Sequence, residues 1–409
     1  MGDTNPKQEY LVRNKKILQD FTYSFFSIGI SISILQLVIY PYLARTKSIN
    51  EYGAMIATIG VLTAVYQSFG GALSQTRLIK NRSYSVKGDF PFLISISCVV
   101  VAIIAIFCTV FFWRGGPKQI LLNVTLAVFS TCNAYAIVVF RININYKKYF
   151  ISNILIGVGY LVGVSLNFFG GPWQVIFICA QFSLFIYLLA SADIIQEKFR
   201  ITNNFRMSLF AFLWLLLSGA LANSVQYLDK FLIFPILGGE SASIFFVATF
   251  FAKSLSMIML PIDNVLLSYI SSGRIKFTRK RFIFLVIATL ISCLAFSFII
   301  YLLAIPITRL FYPMLVDAAN PFFLVSNAAI LMGIAYGIIG LPMLVYAPTY
   351  WQFVLNIIQL IVYFSLALFL SDRAGLMGFC FAMLISNTLR IVISFSISFF
   401  YLKSDRLTV

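Results

Sequence analysis

The sequence predicts an all-α polytopic membrane protein of about twelve transmembrane helices, arranged as two six-helix lobes. Three observations carry that reading. Of 409 residues, 61% are hydrophobic and 11% charged, against roughly a quarter charged in soluble globular chains. The apolar residues form about twelve runs, each long enough at 1.5 Å per helical residue to cross a hydrocarbon core of about 30 Å. The gaps are short, the longest running from about Gln75 to Asp89 and from Asp193 to Arg206. Any activity must therefore be built between helices at membrane depth, which points to transport.

The runs begin near Phe21, Gly53, Phe90, Gln119, Phe150, Pro172, Met207, Ser241, Arg281, Phe322, Trp351 and Gly375, and are numbered here as spans one to twelve. Lys7, Arg13, Lys15 and Lys16 precede span one, whose apolar run from Phe21 to Leu43 has no small-residue cleavage site and reads as a retained signal anchor. With the N-terminus in the cytoplasm, Lys and Arg favour the cytoplasmic segments by about three to one. That is the positive-inside bias, and it places both termini in the cytoplasm. The same distribution accounts for the net charge of +17 without nucleic acid. The loop from Tyr346 to Trp351 carries no cation and offers only aromatic anchors, so it supports the topology least.

The polar stretch from Asp193 to Arg206 divides the chain into an N-terminal lobe, residues 1–200 with spans one to six, and a C-terminal lobe, residues 201–409 with spans seven to twelve. The first helical pair of each half has a similar outline. Span one ends Ile39-Tyr40-Pro41-Tyr42-Leu43 and Glu51-Tyr52-Gly53-Ala54 opens span two. Span seven ends Ile233-Phe234-Pro235-Ile236-Leu237 and Glu240-Ser241-Ala242 opens span eight. Six spans separate the copies, an even number, so the repeat is parallel and its pseudo-twofold axis runs along the membrane normal.

There is no histidine, which removes the commonest general base and metal ligand. The six cysteines fall inside spans and form no Cys-x-x-Cys. Neither a metal, nor a cofactor, nor an enzymatic reaction is expected.

The string Asp229-Lys230-Phe231-Leu232-Ile233, followed by Leu237-Gly238-Gly239-Glu240, resembles the span-seven signature of polysaccharide-lipid flippases. The Glu51-Tyr52-Gly53 opening of span two is similar to the matching element of their first half. Over essentially its full length the chain resembles the Wzx-type O-antigen flippases of the multidrug/oligosaccharidyl-lipid/polysaccharide exporter superfamily. The resemblance implies two six-helix lobes around a central cavity that opens alternately to each side. It also implies a cargo, an O-antigen or related sugar repeat unit on undecaprenyl pyrophosphate, and partners in lipopolysaccharide biosynthesis, namely a polysaccharide polymerase and a chain-length regulator.

A pyrophosphate crossing a low-dielectric slab needs fixed cations, and an ionisable residue within a span is a functional candidate. Lys253 is the first of these, about 18 Å into span eight. Its neighbours Phe245, Phe246, Phe250 and Phe251 offer no counter-charge. Its cation is therefore expected to meet substrate and water, with a structural pair to another helix as the alternative. Arg390 in span twelve, with Ser386 and Asn387 in the preceding turn, is a second cation for the substrate, with snorkelling to the cytoplasmic headgroups as the alternative. Asp229 matches the span-seven acid of the resemblance, and Gln226 is placed to share its face. Arg77 and Arg141, at the cytoplasmic ends of spans two and four, are candidates for substrate or for interface anchoring. Asp263, after Pro261 in span eight, joins Asp229 as a candidate ligand for a coupling proton or sodium ion. No Gly-rich phosphate loop occurs in any cytoplasmic segment, so nucleotide is not the expected energy source.

Two alternatives stay open. A drug or cation extruder of the same superfamily would need carboxylates in the first lobe, and between Asp20 and Asp193 there are only Glu51 and Asp89. A membrane-bound polysaccharide polymerase or ligase would need reactive groups on large outer loops or a histidine base, and the chain has neither.

Overall fold

The computed structural model describes residues 29–80, 88–113, 116–143, 145–192, 197, 199–271, 278–348 and 350–404. The predicted start of span one at Phe21 lies outside them. Among the described residues the chain is helical throughout, and ten helical stretches are long and apolar enough to cross a membrane.

Two glycines divide these stretches into the predicted spans. The segment Leu228–Ala248 breaks at Gly238, where φ is 83° and ψ 177°. Tyr350–Ser404 breaks at Ala374–Gly375, with φ of 53° at the glycine. Only glycine adopts these backbone angles without strain. Span seven is therefore Phe205–Gln226 continued, past a kink at Tyr227, up to Gly238, and span eight runs on through Phe250–Ser271. Span twelve opens at Gly375, as the apolar pattern predicts. The spans include Ile49–Lys80 and Arg279–Phe311, of 32 and 33 residues. At 1.5 Å per residue such helices reach about 50 Å, enough for the hydrocarbon core and both headgroup layers. The chain is an all-α, multi-pass membrane protein.

Two compact units emerge from the packing. The first holds residues 1–43 and 62–223, the second residues 44–61 and 224–409. Span two is thus shared, its residues up to Val61 with the second unit and the remainder with the first.

In the first unit, spans five and six pack backbone to backbone. A Cβ on Gly159 would meet the Ala180 backbone and one on Gly163 the Ile176 backbone, the close approach that a Gly-x-x-x-Gly face permits. Buried amides join the helices: Asn123 donates to Thr109 Oγ1 at 3.1 Å and Asn133 to Gln181 Oε1 at 2.9 Å. The core gathers Leu73, Phe90, Tyr135, Phe140, Leu188 and Phe212.

The polar stretch between the halves is tied to this unit. Asp89, fully buried, accepts from Thr202 N at 2.8 Å, Thr202 Oγ1 at 2.9 Å and Ser208 Oγ at 3.2 Å. Glu197 pairs with the buried Arg77. Asp89 also lies in the first turn of Asp89–Trp113, where a carboxylate favours the positive end of the helix dipole.

In the second unit a capping box starts span two. Ser48 N donates to Glu51 Oε2 and Glu51 N to Ser48 Oγ, both at 3.3 Å, which satisfies two of the helix's free N–H groups. The openings of spans two and eight then interlock. A Cβ on Gly53 would fall on the Gly239 carbonyl, and one on Gly239 on the Asn50 backbone. Ser243 Oγ donates to the Ile49 carbonyl at 2.5 Å. These are the two segments whose outlines match in the sequence.

Candidate functional site: a buried lysine–aspartate–lysine cluster

Two kinks build the site, both in the second unit. At Tyr227, with φ of −106° and ψ of 12°, span seven changes direction, and Asp229 lies in the first turn beyond it. At Thr249 span eight kinks between Leu228–Ala248 and Phe250–Ser271. A kink frees backbone groups that lipid cannot satisfy, and Asn327 of span ten supplies the partners. Its Nδ2 donates to the Ala248 carbonyl at 2.8 Å and its Oδ1 accepts from Ala252 N at 3.2 Å. Lys253 is the next residue, so Asn327 holds the turn that aims it.

Lys253 Nζ lies 2.5 Å from Asp229 Oδ2, and Lys230 Nζ lies 3.9 Å from the same oxygen. The carboxylate side chain is 6% exposed, the lysines 22% and 18%. Each ammonium also faces a ring, Lys253 over Phe245 at 5.1 Å and Lys230 over Tyr227 at 4.9 Å, an arrangement that recovers part of the lost hydration. A small pocket beside the cluster is lined by Ile56, Ala57, Ile233, Ala242 and Phe246. Gly60 makes room for the Lys230 stem, because a Cβ there would overlap its Cγ and Cδ. Two cations against one anion leave one net positive charge in an apolar setting. Such a cluster attracts an anion without leaving an isolated buried cation.

This corrects the expectation for Lys253. No carboxylate stands near it on its own helix, but the Tyr227 kink brings one from span seven. The cation is met by a fixed acid. Gln226 does not share the Asp229 face: it ends its helix exposed while Asp229 is buried, because the kink falls between them.

The other predicted residues stand apart from the cluster. In the first unit Arg77 is buried, paired with Glu197 and stacked over Phe90 at 4.7 Å. Arg141 is exposed at the end of the short helix Val138–Ile142. In the second unit Asp263 lies against span ten, where a Cβ on Gly337 would meet its Oδ2. Asp263 forms no ion pair among the described residues. Arg390 donates to Asn356 Oδ1 at 2.7 Å and stacks on Tyr336 at 3.7 Å. Sequence reasoning missed Asn327 and Lys230. Lys230 stands in the sequence beside Asp229 with no sign of its direction, and nothing local marks Asn327, since its role depends on a kink in another helix. Among the described residues no group of three metal-ligating side chains occurs.

No protein-family model matches the chain, and no curated protein matches it in sequence. Solved structures do match. A lipid II flippase, MurJ, in an inward closed conformation superposes with a TM-score of 0.73 at 16% identity, covering 95% of this chain and 91% of that one. This chain has the fold of that flippase. An inward-facing multidrug resistance MATE family transporter of the MOP superfamily follows with a TM-score of 0.66 at 14% identity, covering 95% and 96%. The Vibrio cholerae MATE transporter VcmN in its bent form gives 0.58 at 14% identity, covering 96% and 98%. These similar folds belong to transporters and flippases, and they span nearly the whole of both chains.

Proposed function

We propose that the protein is a flippase of the multidrug/oligosaccharidyl-lipid/polysaccharide exporter superfamily, with no enzymatic activity. It carries undecaprenyl-pyrophosphate-linked O-antigen or related repeat units across the bacterial inner membrane by alternating access. Both termini lie in the cytoplasm, and residues 1–200 and 201–409 form its lobes. The observation that carries this reading is the net-positive Asp229–Lys230–Lys253 cluster, buried in a fold shared with a lipid II flippase. A diphosphate headgroup is an anion that must leave water, and a cluster with one surplus cation lowers that cost. Lys253 and Lys230 attract the diphosphate while Asp229 keeps the unloaded site from holding two bare cations. Arg77 and Arg141 serve the cytoplasmic face, and Gln226 lies near the Tyr227 kink. A proton or sodium ion couples through Asp263 or Asp229, and a polymerase and a chain-length regulator work beside the flippase.

The test is transport of a fluorescent lipid-linked oligosaccharide in proteoliposomes, read by accessibility to a glycosidase outside. Time-dependent transfer in vesicles with the protein, and none in empty ones, is the expected result. Equal transfer in both would overturn the proposal. The likeness to MATE transporters supports drug or cation extrusion as a second reading, and uptake of a lipophilic cation in place of the oligosaccharide would favour it.

A further inference from the structure

Spans ten, eleven and twelve are joined by two polar layers one helical turn apart. In one, Gln359 Nε2 donates to Asn387 Oδ1 at 3.1 Å and Asn387 Nδ2 to the Ala329 carbonyl at 2.8 Å. Both side chains are buried, and the layer carries no charge. The other lies three residues later along span twelve and three earlier along span eleven, but with a cation: Arg390 Nη2 donates to Asn356 Oδ1 at 2.7 Å, and the guanidinium lies 3.7 Å from the Tyr336 ring centre. If helix joining were the whole task, the neutral layer shows that amides suffice.

The position of Arg390 sharpens the point. Its helix opens at Gly375 and runs to Ser404, so Arg390 stands 15 residues after one end and 14 before the other. At 1.5 Å per residue both ends are more than about 20 Å away. An arginine side chain cannot snorkel that far. Among the described residues no carboxylate lies within ion-pair distance of it, the pairs there being Arg77–Glu197, Lys230–Asp229 and Lys253–Asp229. Its Nε is buried with no hydrogen-bond acceptor among them. The guanidinium is thus held by Tyr336 and Asn356, with its Nε unused and, among the described residues, no carboxylate paired with it. Lys253, by contrast, shares its site with Asp229 and Lys230.

We propose that Arg390 is a mid-membrane phosphate-binding residue, which receives the diphosphate of the lipid-linked cargo at the half-way point of its crossing. A guanidinium fork matches two phosphate oxygens at once. Depth selects the source. A resident phospholipid keeps its phosphate in the interface, whereas a phosphate about 20 Å from either end is one in transit. The inference rests on the flippase reading for the identity of the anion, and on Arg390, Asn356 and Tyr336 alone for the site.

The experiment measures binding of farnesyl diphosphate, with farnesol as the uncharged control, to the purified protein in phosphatidylcholine nanodiscs by titration calorimetry. We expect diphosphate-dependent binding by the wild type, weakened at least about tenfold in Arg390→Gln and only about threefold in Arg390→Lys and in Asn356→Ala. Wild-type affinity in Arg390→Gln, or no diphosphate-dependent binding by the wild type, would overturn the inference. If Arg390→Gln does not fold, wild-type affinity in both milder variants has the same meaning. The titration is repeated in phosphatidylglycerol nanodiscs. Unchanged affinity supports transit cargo, and Arg390-dependent competition by phosphatidylglycerol overturns that source in favour of a bilayer headgroup. Failure of the flippase reading looks different: farnesyl diphosphate binds through Arg390, yet the wild type moves no lipid-linked oligosaccharide. Normal oligosaccharide transfer by Arg390→Gln sinks the inference and leaves the flippase standing.

Discussion

Asp229 and Lys253, on different membrane spans, meet through a 2.5 Å contact between Oδ2 and Nζ, and Lys230 approaches the same oxygen from 3.9 Å. The asymmetry of one acid between two bases fixes the order of their mutational costs. Asp229→Asn leaves two ammonium groups facing each other in a buried site, whereas Lys253→Gln leaves the carboxylate with Lys230. We expect Asp229→Asn to destabilise by about 3–5 kcal/mol and Lys253→Gln by clearly less. Asp229→Asn combined with Lys253→Gln should recover part of the loss. Thermal unfolding in detergent, followed by a thiol-reactive dye, gives the ranking, and a Lys253→Gln protein less stable than Asp229→Asn would contradict it.

Asn327 offers a second test, because it serves the backbone rather than the charges. Asn327→Leu would strand the Ala252 N–H at the span-eight kink, at about 1–3 kcal/mol, and leave the Ala248 carbonyl with only the Ser326 hydroxyl at 3.4 Å. Amide exchange near Thr249 should quicken in this variant more than in Lys253→Gln. Equal exchange in the two would mean that Asn327 does not hold the kink.

Glycine positions divide into three kinds. Gly238 and Gly375 take positive φ, and alanine at either should cost about 1–3 kcal/mol. Gly53 faces the Gly239 carbonyl, which cannot move aside, so Gly53→Ala should also be damaging. Gly219 has helical geometry and nothing within 4 Å of a built Cβ, so Gly219→Ala should be neutral or gain up to about 1 kcal/mol. Melting temperatures of the four proteins check the sorting. A Gly219→Ala protein as unstable as Gly53→Ala would refute it.

Asp89 gives the fourth prediction. Asp89→Ala removes three acceptor contacts that hold Thr202 and Ser208, so the stretch between the halves should open more often. Trypsin should then cut after Arg200 sooner than in the wild type, while Asp89→Asn, which keeps one acceptor oxygen, falls between. Unchanged cleavage in Asp89→Ala would show that other contacts hold the stretch.

The spans were legible because lipid makes hydropathy nearly sufficient: the break at Gly375 coincides with the start read from the apolar pattern, and that at Gly238 lies three residues before Ser241. The interlock of Gly53 with Gly239 could be found from the sequence only as a similarity of outline, since periodicity says which residues face a neighbour but not which neighbour. Gly159 and Gly163 carry a close-packing signal in their spacing, which does not name the partner helix. The pairing of Lys253 with Asp229 was hidden because both lie beside kinks. Neither Tyr227 nor Thr249 is a proline or glycine, so nothing local announced that the helices turn there. Arg390 was legible as a charge within a span, but that no carboxylate pairs with it among the described residues is a property of three helices together.

The sharing of span two between the units has a consequence for synthesis at the ribosome. Gly53 must pack on Gly239, which is 186 residues later in the chain. At about 5–20 residues per second, roughly ten to forty seconds separate the emergence of the two. Through that interval the Asn50–Gly60 face, shaped by glycines for a neighbour not yet made, stands open in the bilayer or is held by the insertion machinery. A truncated nascent chain ending before span seven should therefore cross-link through this face to an insertase or a membrane chaperone, and release it once span eight has followed.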